Sequence, residues 1–147
     1  MNILLAMGLA AAALDPALPA FEHQARVEHD GRTVDAAYRT RVSVTQRQIG
    51  AVAKGGMPST LRCVWRADVS LEREARLEPR VRLARSFGRS GVVEGSRPGW
   101  CSTHKRAIAR EVAQRAGEIE ARAIALAGED EAVLRAELES LESGVTG

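Results

Sequence analysis

Cys101 and His104 stand three residues apart in the stretch RPGWCSTHKR, where the residue pattern turns helical. The only other cysteine is Cys63. Three chemistries fit these types at this spacing. An even cysteine count in an exported chain favours a disulfide. A Cys63–Cys101 link would close a loop of roughly forty residues, worth about 3–4 kcal/mol in the chain-entropy account. The second reading is a reactive Cys101 thiolate, favoured by the helix start and by His104, Lys105 and Arg106, with His104 as base. The third is zinc, with Cys101-x-x-His104 as half-site and Cys63 plus His23 or His29 completing it. The chain has no His-Glu-x-x-His, Gly-x-Ser-x-Gly or phosphate-binding glycine loop. We therefore read the cysteines as a structural disulfide and assign no catalytic residue, no metal ligand and no cofactor.

A second group of residues offers charge. The formal net charge is only +2, but it is uneven. From Phe21 to Arg110 cations outnumber anions two to one, whereas from Glu111 to Gly147 anions outnumber cations three to one. One reading is internal complementarity, an acidic helical part lying against a basic part. The other is a basic surface for an anionic partner. Its candidates are Arg39, Arg41, Arg62 and Arg66 on outward strand positions, with Lys105 and Arg106 at the helix start. The basic first turn has the wrong sign for the helix dipole, which would suit a bound anion. Nucleic acid is disfavoured, because no basic-aromatic platform or known nucleic-acid motif is present.

The elements that must position these groups follow from residue period. Residues 3–14 form a run of apolar residues and Gly, too short to span a bilayer and of signal-peptide length. Small residues follow it, and 1–20 reads as a signal peptide, although no Lys or Arg precedes the apolar run. No other segment is apolar enough for a transmembrane helix. Residues 21–100 then alternate as half-buried strands do. Phe21, His23, Ala25 and Val27 share one face. Asp30-Gly31 makes a hairpin turn, and Val34, Ala36, Tyr38, Val42 and Val44 return on the same side. Lys54 to Pro58 is a loop. Leu61, Cys63, Trp65, Ala67, Val69 and Leu71 point inward on the next strand. Glu72 to Arg76 reads as a strand end or a helical turn, residues 80–87 as another strand, and the glycine-rich stretch from Gly88 to Gly99 as a loop.

From Ser102 the period is helical, with Ser102 or Thr103 as N-cap. Ile108, Val112, Ile119, Ala123 and Leu126 form a stripe. Gly128 then ends or kinks the helix. A second helix begins with Glu129, Asp130 and Glu131 in its first turn and carries Leu134, Leu138 and Leu141. The fold class is α+β: an antiparallel sheet of about four strands, then a long C-terminal helix or helical hairpin over it, as one domain spanning 21–147. With 45% hydrophobic and 27% charged residues but only 3% aromatics, its core is aliphatic and modest. The expected function is a non-enzymatic binding or scaffold domain of the cell envelope, periplasmic or secreted, whose partner is an anionic envelope component or a protein. The alternatives are a thiol- or zinc-dependent enzyme at Cys101 and His104, and a protein-protein module using the acidic helix at Glu137, Glu139 and Glu142.

Overall fold

The computed structural model describes residues 16–145. The signal-like run at 3–14 lies outside the described residues. Four strands come first: β1 (Ala20–His29), β2 (Arg32–Ile49), β3 (Arg62–Glu78) and β4 (Val81–Pro98). Two helices follow, α1 (Cys101–Gln114) and α2 (Ala116–Val145). Neighbouring strands pair antiparallel in the order β1-β2-β3-β4, an up-and-down meander. The fold is α+β, with the helices packed on one face of the sheet.

Strict two-residue alternation makes that face. Val27, Val34, Ala36, Tyr38, Cys63, Trp65, Ala67, Val69 and Leu71 are all buried on it. The helices add Ile108, Val112, Ile119, Ala123, Leu126, Leu134 and Leu138. At the β1–β2 turn Asp30 and Gly31 take φ of 47° and 74°. That is the doubly left-handed turn whose twist matches a two-residue hairpin.

Several expectations fail for identifiable reasons. Residues 88–98 are strand, not loop. Gly88 and Gly95 are there because neighbours come close: a Cβ on Gly95 would sit 2.6 Å from Cζ2 of Trp65, and one on Gly88 2.4 Å from the Val69 carbonyl oxygen. Between them β4 bulges. Val93 opposes Ala67 and Arg89 opposes Val69, so three residues face Asp68 alone. Gly91 has φ of 66° at the bulge, and its N–H donates to Oδ1 of Asp68 (2.8 Å). The extra residues break the alternation, which is how consecutive Val92 and Val93 are both buried. Gly95→Ala should therefore overpack Trp65 and cost about 1–3 kcal/mol. Urea unfolding would read this as a lower midpoint at unchanged slope.

The helices also differ from expectation. Gly128 does not end a helix; α2 runs through it. Gly128 is exposed, and buried Leu126, Ala127 and Asp130 around it hold that turn on the sheet. Packing there outweighs a propensity deficit of about 1 kcal/mol. The break falls at Arg115, between α1 and α2. Leu141 is 39% exposed, off the buried stripe. The N-cap is Trp100, not Ser102 or Thr103. Gln48, from the far end of β2, accepts from the Cys101 N–H through Oε1 (2.7 Å). A cap supplied from another strand leaves no trace in the local sequence. Glu72 to Arg76 continues β3, which buries Arg73.

Candidate functional site

One end of the sheet is fixed by covalent and polar ties. Cys63 and Cys101 form a disulfide with Cα atoms 4.8 Å apart, inside the range a bridge needs. Gln48 pairs in register with Cys63. Its Nε2 donates to the carbonyls of Arg62 (2.8 Å) and Gly99 (2.9 Å). His104 Nε2–H donates to the carbonyl of Pro98 (2.7 Å). The ends of β2, β3 and β4 and the start of α1 are thus joined in one corner.

That corner leaves little for the other readings of Cys101 and His104. Both sulfurs are in the bridge, so neither is a thiolate for His104 to activate, and His104 Nε2 is committed to the Pro98 carbonyl. The zinc set is not assembled. His29 pairs with Arg32 at the start of β2, whereas Cys63 pairs with Gln48 near its end. Sixteen residues of strand separate those levels, tens of ångströms at about 3.3 Å per residue. His23, level with Tyr38, is also far from the cysteines.

The inward positions fixed by this corner have outward neighbours. Arg47 precedes Gln48 and Arg62 precedes Cys63, so both point to the sheet face that no helix covers. Register places Arg47 opposite Val64, Arg66 opposite Thr45 and Glu94, and Arg41 opposite Ser70. Here Arg41, Arg47, Arg62 and Arg66 share the open face with only Asp68 and Glu94 as anions. Asp68 is already engaged by Thr45 (3.2 Å), by the Gly91 N–H and by Arg66 (3.3 Å). Arg62 Nη2 donates to the Ser96 hydroxyl (2.8 Å). Among the described residues the side chains of Arg41 and Arg47 have no hydrogen-bonding or ionic partner. A shallow depression of about 390 Å³ lies between Arg47, Val64, Arg66 and Glu94.

The six cations singled out in the sequence therefore do not form one surface. Arg39 lies in the acidic half of the open face, 3.6 Å from Glu22 and opposite Glu72 in register. Lys105 and Arg106 are on α1, across the sheet, beside Pro16, Leu18, Val44 and Gln46. Arg62 and Arg66 stay together, and Arg41 shares their face farther along the strands, opposite Ser70. Arg47, at the same outward parity of β2, belongs with them and was open to detection by that parity alone.

A second constellation escaped the sequence reading. One row across the sheet runs His23, Tyr38, Arg73, Arg85, and Asp130 of α2 descends onto it. The Arg73 and Asp130 side chains are both 0% exposed. Asp130 Oδ2 accepts from Arg73 Nε (2.7 Å) and from the Tyr38 hydroxyl (2.9 Å). Its Oδ1 accepts from Arg85. Arg73 Nη1 donates to Glu137 (2.8 Å) and to the Leu83 carbonyl (3.2 Å). Burial pushes the Asp130 carboxyl up, but the hydrogen bonds from Arg73, Arg85 and Tyr38 outweigh it and hold the carboxyl below its usual range. Burial, then the hydrogen bond to Asp130, raises the Tyr38 hydroxyl well above its ordinary value. A locked carboxylate saturated by three donors is a structural joint, not an acid or base for chemistry. The signal for it was an arginine at the inward parity of Leu71 and Ala75, and an aspartate spaced by four from Leu126 and Leu134.

No protein-family model, curated protein or solved structure matches this chain. Its function must be argued from its own geometry. Part of the charge asymmetry is satisfied internally, since Arg89 pairs with Glu129 (3.1 Å) and Arg97 with Glu111 (2.9 Å), beside the Arg73 and Arg85 pairs. Of the three acidic helix residues considered for a partner, Glu137 is taken by Arg73. Glu142 lies beside His29 (3.5 Å), and Glu139 is exposed. No helix among the described residues is long and apolar enough to cross a membrane.

Proposed function

We propose that this chain is an exported, non-enzymatic binding domain that takes an anionic component of the cell envelope on the open face of its sheet. The observation that carries the reading is the group Arg47, Arg62 and Arg66 on strand ends tied by the corner behind them, with Arg41 farther along the same face. Four guanidiniums facing two carboxylates leave a positive field, and planar guanidiniums suit phosphate or carboxylate groups in bidentate contact. Low-dielectric strand backbone beneath them and a fixed spacing favour recognition over loose attraction. The disulfide supports export, because such bonds persist in oxidising compartments, and the apolar run at residues 3–14 supports it independently. With both sulfurs bridged, a thiol or zinc enzyme at Cys101 and His104 is the weaker reading.

Retention of the oxidised protein on an immobilised polyanion at rising salt tests this. The wild type should show steep salt dependence. Arg47→Glu with Arg62→Glu should weaken retention about tenfold or more at low salt, whereas Lys105→Glu with Arg106→Glu should change it far less. Equal loss from both pairs would mean that net charge, not the open face, governs binding. Retention indifferent to salt would remove the anionic partner altogether.

A further inference from the structure

At the opposite end of the sheet from the disulfide, His29 closes β1, Asp30 begins the hairpin turn, and Glu142 sits on the last turns of α2. His29 Nε2 is buried and makes no hydrogen bond, though the side chain is 11% exposed. Buried polar nitrogens are rarely left so. It faces two carboxylate oxygens, Asp30 Oδ2 at 3.6 Å and Glu142 Oε2 at 3.5 Å. Both distances are too long for hydrogen bonds. One ligand atom from each of the three residues falls within 4.8 Å of the other two. Two ligands on a single tetrahedral zinc, with bonds near 2.05 Å, stand about 3.3 Å apart. The two distances from His29 Nε2, too long for hydrogen bonds, are thus within a few tenths of an ångström of right for a shared ion.

From this geometry we propose that His29, Asp30 and Glu142 form a binding site for a divalent transition metal of the zinc class, which clamps the end of α2 to the β1–β2 hairpin. An imidazole nitrogen with two carboxylates suits zinc and its neighbours, whereas calcium and magnesium call for oxygen alone. Water completes the coordination. The two elements are already held together here, since Arg135 Nη1 donates to the Glu28 carbonyl (2.6 Å). Closing on an ion therefore asks only that the exposed Asp30 and Glu142 side chains, whose oxygens lie within 4.8 Å of each other, draw together. The left-handed φ of Asp30 fixes its place in the turn, and aspartate tolerates that conformation. The site stands apart from the arginine face and from the disulfide, so it is independent of the function proposed above.

Titration of the oxidised full chain with zinc chloride by calorimetry tests the proposal, because bridged cysteines cannot compete for the metal. One zinc should bind per chain with micromolar affinity, and the melting temperature should rise with zinc concentration. His29→Ala should weaken binding by about a hundredfold or more, since loss of a ligand exceeds the ten- to hundredfold cost of losing a supporting contact. Glu142→Gln and Asp30→Asn, which alter exposed side chains and spare the core, should each weaken it by about tenfold or more. His23→Ala and His104→Ala should leave it unchanged. No saturable uptake at millimolar zinc would overturn the proposal. So would uptake that survives His29→Ala, or that Glu142→Gln and Asp30→Asn leave intact.

Discussion

Replacing Asp130 by Asn is expected to destabilise the protein by about 3–5 kcal/mol, a large part of the ~5–15 kcal/mol that holds a domain of this kind folded. The reason is the company Asp130 keeps. Arg73 is fully buried beside it, Arg85 reaches it from β4, and Tyr38 donates to it from β2. Without the carboxylate, Arg73 keeps only Glu137 and a backbone carbonyl, while its Nη2 already lacks a partner. An uncompensated guanidinium in the core costs far more than the pair was worth. Arg73→Met together with Asp130→Leu should therefore be close to neutral, or stabilising. Denaturant unfolding of Arg73→Met, Asp130→Leu and the double variant would give the coupling directly. Equal and additive losses would mean that the pair does not act as a unit.

The same carboxylate sets an acid limit. Its folded value lies below the ordinary aspartate value of 3.8, so its contribution is complete above the unfolded value. That contribution is lost as the pH falls through the lower, folded one. Unfolding free energy should hold level down to about pH 4 and then decline. Asp130→Leu with Arg73→Met should flatten that part of the decline.

The second large effect concerns the bridge. Removing it with Cys63→Ala and Cys101→Ala should cost about 3–4 kcal/mol for a sequence separation of 38. The loss should not be uniform. Gln48, His104 and the bridge anchor the same corner, so hydrogen exchange should rise first at the ends of β2, β3 and β4 and the start of α1. The hairpin end, held by Arg135 and Glu28, should keep its protection. Because Arg47 and Arg62 adjoin this corner, polyanion retention should also fall in the bridge-free variant under conditions where the protein remains folded.

The contrast between legible and hidden features has a physical origin. Alternation showed the inward sets of β1, β2 and β3 correctly, because one residue of slip would have turned every apolar side chain to water. Asp30-Gly31 was legible because few pairs accept that backbone. The cysteine pairing was legible because only one pairing exists. What stayed hidden depends on partners remote in sequence. Glycines 88, 91 and 95 read as loop until Val69, Asp68 and Trp65 are placed beside them. The Gln48 cap acts across more than fifty residues. Gly128 is tolerated only because the turn on either side is packed down. Arg73 and Asp130 each look misplaced alone, a charge on an apolar stripe, and each explains the other once β3 and α2 are in contact. On the open face, where nothing is buried, parity shows that Arg39, Arg41, Arg47, Arg62 and Arg66 point outward, yet register is needed to see that Glu22 and Glu72 flank Arg39.

The claim on which the rest depends is that Cys63 and Cys101 are joined in the protein as its cell makes it. Native protein should be trapped with an alkylating agent during lysis, without reductant, and its peptides mapped by mass. The account predicts no label on either cysteine and one cross-linked pair containing both. Rapid labelling of Cys63 and Cys101 in folded protein would contradict it, and would return the corner at Cys101 and His104 to thiol or metal chemistry.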